Sequence, residues 1–148
     1  MKIFNDDQFD ERQQFERGKA FRNAYLSLIV SLLTIFFINS VMEKNIFDVS
    51  SIITVPIWIS LGVFCCTAIW KDAYESYKNS CGHFVPAIFG ICGLLLLIIS
   101  IKEAFDSDSY PSNMEFINSQ LRSISQGIIS LIIFAVSIAK QRIDKKSE

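Results

Sequence analysis

"NAYLSLIVSLLTIFFINSVM", residues 23–42, is twenty residues long without one charged side chain, and its reading decides the fold. A helix needs roughly 20 mostly apolar residues to cross a hydrocarbon core of about 30 Å. Three more charge-free windows follow, Val49–Trp70, Asn79–Ile101 and Ser123–Ala139, of 22, 23 and 17 residues. The last is short, and Leu121 with a snorkelling Arg122 extends it. Membrane strands are ~10 residues long and alternate apolar with polar side chains. "GLLLLIISI" and "IISLIIFAVSIA" are instead apolar on every face. In lipid the backbone must satisfy its own hydrogen bonds, so helices are expected. The expected fold is all-α: a polytopic membrane protein forming one four-helix transmembrane bundle. Its spans fall at about 23–42, 51–70, 84–101 and 121–139, with tails at 1–22 and 140–148. The long charged lead and "INSVMEK", which lacks a small-x-small cleavage site, argue against a cleaved signal peptide.

Composition agrees with that class. Of 148 residues 51% are apolar, and the net charge of -1 gives no reason to expect a nucleic-acid partner. The distribution of bases is more telling. Lys2, Arg12, Arg17, Lys19 and Arg22 precede the first span, Lys71 and Lys78 follow the second, and Lys140, Arg142, Lys145 and Lys146 follow the fourth. Those eleven face three on the other side, Lys44, Lys102 and Arg122. The positive-inside rule then puts both termini in the cytoplasm.

Near the span ends, local signals set the helix limits. Asp10 with Gln13 has capping spacing, so a helix starting at Asp10 is expected to run into the first span. Its first dozen residues would protrude into the cytoplasm; an amphipathic helix lying on the surface is the rival reading. Gly18 is the weak point of that helix. Glu16 and Lys19 pair at i,i+3. Ser112 with Glu115 also has capping spacing, placing the start of the fourth helix near Asn113. Trp70, Tyr74 and Tyr77 fit an interfacial belt where the second span ends, and Lys71 with Glu75 lets that helix run on. Counting depth from the span ends puts Asp72 level with Arg22. An ionic contact of Asp72 with Arg22 or Lys19 is therefore expected, the alternative being solvation or pairing with lipid phosphate.

"DERQ" and "RGKAF" before the first span, with "WKDAY" after the second, resemble uncharacterised four-span membrane proteins of Gram-positive bacteria. The resemblance implies a bacterial plasma membrane and a special role for Asp10, Glu11, Arg12, Gln13, Arg17, Gly18, Lys19, Asp72 and Tyr74. It implies no chemistry.

The residues themselves offer little for catalysis. Cys65, Cys66, Cys81 and Cys92 include no C-x-x-C pair, and buried cysteines behave as small hydrophobes. Cys81 and His83 lack the paired spacing of zinc sites, and His83 has no triad partner in sequence. "DSDS" at 106–109 suggests calcium, but Pro111 and Ile117 stand where an EF-hand loop needs its glycine and its glutamate. No phosphate-binding glycine pattern occurs. No metal, cofactor or catalytic residue is expected.

Small exporters couple to protons through a membrane carboxylate, and no span holds one. Ser27, Ser31 and Thr34 form a polar line on the first helix, and Gly90, Gly93 and Gly127 mark close helix packing. The expected function is thus a non-enzymatic accessory, regulatory or sensing membrane component. Its cytoplasmic surface, Asp10, Glu11, Arg12, Arg17, Lys19, Arg22, Asp72, Tyr74 and Glu75, would meet a protein partner or anionic lipid of the bilayer. The alternative is a small homo-oligomeric transporter or channel using the Ser27–Ser31–Thr34 line.

Overall fold

The computed structural model describes residues 11–42, 46–73, 84–105 and 113–147. Expectations that rest on Asp10, Tyr74, Glu75, Cys81, His83 and Ser112 lie outside the described residues. The described chain forms four helices: α1 (Glu11–Val41), α2 (Val49–Trp70), α3 (Phe84–Phe105) and α4 (Asn113–Ser147). All four are long and apolar enough to cross a membrane. α1 runs unbroken through Gly18 into the apolar stretch. α4 begins at Asn113, with Glu115 in its first turn, where a carboxylate meets the positive end of the helix dipole.

Both ends of α2 are explicit in side-chain chemistry. Asp48 is its N-cap and accepts a 2.8 Å hydrogen bond from the Ser51 backbone N–H. The helix continues through the buried Pro56 and stops at Lys71. Beyond it, Asp72 takes a left-handed φ of 54°, and the Ala73 N–H returns to the Ala68 carbonyl at 2.9 Å. The Asp72 N–H reaches the Ile69 carbonyl at 3.3 Å, completing a Schellman turn with aspartate in the position glycine usually occupies.

α1 packs on α2, α2 on α4 and α4 on α3, so α2 and α4 form the middle of the assembly. Chain order makes α1 antiparallel to α2 and α3 antiparallel to α4, while α2 and α4 are parallel. The closest approach joins α3 to α4. A Cβ built on Gly93 would lie 3.1 Å from the Gly127 carbonyl oxygen, and one on Gly127 would lie 3.3 Å from that of Gly93. Gly90 faces the Phe134 ring, and Gly62 of α2 faces Ile129 of α4.

The distribution of polarity is inverted relative to a water-soluble bundle. Ala20, Ala24, Ser51, Ala68, Ser100, Asn118, Ser130 and Ser137 are buried. Phe36, Phe37, Ile53, Ile91, Leu94, Ile98 and Ile132 are exposed. On α4, Ile117, Ile124 and Ile128 point outward, while Asn118, Ser130, Ile133 and Ser137 form the packed face. Small and hydrogen-bonding residues between helices, with large apolar ones outside, are what packing in lipid requires.

Candidate functional site

Polar side chains gather at the two ends of the α2–α4 pair. At the Asp48 end, Arg122 of α4 reaches the Asp48 carboxylate at 2.7 Å and the Ser51 hydroxyl at 3.1 Å. Asn118, one turn earlier on α4, donates to the carbonyls of Ile46 and Met114, both at 2.9 Å. Its Oδ1 accepts from the Asp48 N–H at 3.3 Å, and Asn39 of α1 makes two further bonds to the Phe47 backbone. Burial on its own would raise the Asp48 carboxyl, but hydrogen bonds from Ser51 and Arg122 more than offset it. The group is held below the ordinary aspartate range and stays charged into more acidic solution. These donors and acceptors answer one another, so the cluster is a latch joining α1, the α2 start and α4.

The Asp72 end is built differently. Gln13 of α1 donates to the Asp72 carbonyl at 3.0 Å, and Lys140 of α4 pairs with the Asp72 carboxylate at 3.0 Å. Lys140 also holds Asp144 at 3.0 Å. One residue therefore links three helices, through its carbonyl to α1 and through its side chain to α4. Lys19 pairs with Glu16 at 2.8 Å and stands 4.3 Å over the Phe15 ring. Glu11, Arg12, Arg22, Lys71, Arg142 and Lys146 are exposed around this frame, and Arg17 is half-buried.

The partner of Asp72 corrects the expected pairing with Arg22 or Lys19. Four contacts explain why: Gln13 meets Asp72, Phe21 stacks on Phe64 at 4.6 Å, the Ser60 hydroxyl bonds the Ala24 carbonyl at 2.9 Å, and Asn39 meets Phe47. Each step along α1 is matched by a step back along α2. Asp72 is thus level with Gln13, and Arg22 is level with Val63, nine residues or about 13 Å further along. The same register sets the charged residues of α1 alongside the last turns of α2. Sequence reasoning also missed Lys140, Asn118 and Ser60. The Asn118–Arg122 i,i+4 spacing and the Asp48-x-x-Ser51 cap were signals for the latch; nothing in the sequence singles out Ser60.

The hydroxyls of Ser27, Ser31 and Thr34 bond carbonyls of their own helix: Ala24, Ser27 with Leu28, and Val30. Gly90, Gly93 and Gly127 all lie on the α3–α4 contact. Cys65, Cys66 and Cys92 are free thiols. Among the described residues, no three His, Cys, Asp or Glu side chains form a group that could hold a metal ion.

A substitution series separates the two jobs of Asp72. Asp72→Asn removes the charge yet tolerates the left-handed backbone, and is expected to melt within about 1 kcal/mol of wild type, as for a half-exposed pair. Asp72→Val adds the steric strain of a left-handed L-residue and should lose about 1–2 kcal/mol more. Equal losses in detergent melting would mean that the charge, and not the turn, holds the junction.

In comparisons with known proteins, no family model, no curated protein and no solved structure matches the chain.

Proposed function

We propose that the chain is a four-span protein of the plasma membrane with both ends in the cytoplasm. It acts without catalysis of its own, as an accessory, regulatory or sensing component whose cytoplasmic face docks a partner. The inverted polarity of the four helices supports insertion, since the large exposed side chains are apolar along every one of them. The excess of bases beside the Asp72 end supports the orientation.

One observation carries the docking role. The Asp72 junction braces three helices with its own polar contacts, and exposed charges of both signs from α1, α2 and α4 surround it: Glu11, Arg12, Lys71, Arg142 and Asp144. A rigid platform with mixed charge favours selective, electrostatically steered association with a protein. The chain's hydroxyl line offers less to a permeant species, because those hydroxyls are already bonded to backbone carbonyls.

The test is purification of the tagged full chain from its native membrane in mild detergent. A second polypeptide in fixed ratio is expected, and Arg12→Glu with Arg142→Glu should release it without changing the melting temperature. A particle holding only copies of this chain, with ion or solute flux in liposomes, would replace this reading with a transporter.

A further inference from the structure

The register of the helices places Arg22 at an unusual height. Val63 stands opposite it on α2. Gly62 faces Ile129 and Asp72 pairs with Lys140, so Val63 is level with Ser130 and Leu131 of α4. Gly93 of α3 in turn packs on Ser130 and Leu131. Leu131 is the midpoint of the charge-free stretch Ser123–Ala139, and Gly93 is near the middle of α3. Three helices are apolar at the height where α1 carries a guanidinium.

Arg22 also faces the wrong way for its own chain. Ala20 and Ala24 are buried against α2, and at 100° per residue Arg22 lies on the opposite side of α1, where it is exposed. The ion pairs of neighbouring bases are closed within the protein, Lys19 on Glu16 and Lys140 on Asp72 and Asp144, and none includes Arg22. Helical side chains lean toward the helix N-terminus, so Arg22 lies over the turn containing Gly18. A Cβ on Gly18 would meet nothing, which leaves that turn open. Phe15, Tyr25 and Leu26 are exposed around it.

We propose that Arg22 and the open turn at Gly18 bind the phosphate of an anionic phospholipid from the cytoplasmic leaflet, drawn down the outer face of α1. The inference rests on the membrane reading above. A planar guanidinium suits a phosphate by forming two parallel hydrogen bonds. Charges at membrane depth are met by snorkelling and by local thinning of the bilayer, and both bring headgroups toward them. The lean of Arg22 toward the cytoplasm makes the phosphate of that leaflet the accessible anion. Tyr25 and Leu26, exposed on the bilayer side of Arg22, supply the apolar flank for its acyl chains.

The experiment reconstitutes the full chain in phosphatidylcholine nanodiscs with and without phosphatidylglycerol, then counts retained lipid by native mass spectrometry. Wild type should retain phosphatidylglycerol in preference to phosphatidylcholine. Arg22→Gln should lower that retention about fivefold, the factor one base supplies at an anionic surface. Arg22→Lys should fall between the two, because it keeps the charge without the fork. Unchanged retention in Arg22→Gln overturns the site, as does a co-purified protein whose loss follows Arg22→Gln while lipid retention does not. Alkaline carbonate extraction of the native membranes is run alongside. Release of wild type by carbonate overturns the membrane reading itself, whereas a resistant chain that ignores phosphatidylglycerol overturns the lipid site alone.

Discussion

Gly93→Ala will loosen the α3–α4 pair by about 1–3 kcal/mol, the usual cost of overpacking a tight contact. The added Cβ would stand 3.0 Å from Ser130 Cβ, 3.1 Å from the Gly127 carbonyl oxygen and 3.2 Å from Leu131 Cγ. Leu131 can turn aside, but a carbonyl in the middle of α4 moves only if the whole helix does. Gly93→Leu should separate the pair outright. Gly18→Ala is the control, since a Cβ there meets nothing and the helix gains up to about 1 kcal/mol in propensity. Thermal unfolding in one detergent compares the variants. A Gly93→Ala protein that melts with the control would mean that α3 and α4 do not approach through this glycine.

Asn118→Ala will cost about 2–4 kcal/mol, because several backbone groups lose their partner at once. The Asn118 amide holds the Ile46 and Met114 carbonyls and takes the Asp48 N–H, in a side chain only 4% exposed. Asn118→Asp is the sharper probe. It keeps the shape but turns a carboxylate oxygen toward two carbonyl oxygens, so it should be worse than alanine. Melting of Asn118→Asp with wild type would sink the latch.

Four charge-free windows were enough to read four helices, because length and the absence of charge are local properties. The same holds for the start of α4 at Asn113 and for the Glu16–Lys19 pair, each decided within one turn. The partner of Asp72 was not legible. Depth counted from the ends of each charge-free run assumes that every run starts at one height, and α1 departs from that. Its position on α2 is set by Ala20, Ala24 and Ser60, which let the two backbones approach. Such residues are common in apolar helices, and only packing shows which of them meet. Asn118 was obscured for a related reason: it belongs to the first turns of α4, beyond the apolar run, where a polar residue reads as exposed.

The parallel pair α2 and α4 is pinned at both extremities, by Arg122 on Asp48 and by Lys140 on Asp72. Sliding or rotating one helix on the other would break both contacts at once, so together they set the register of the pair. α2 and α4 therefore behave as a single post, with α1 fastened to α2 at both ends by Gln13 on Asp72 and Asn39 on Phe47, and α3 packed along α4.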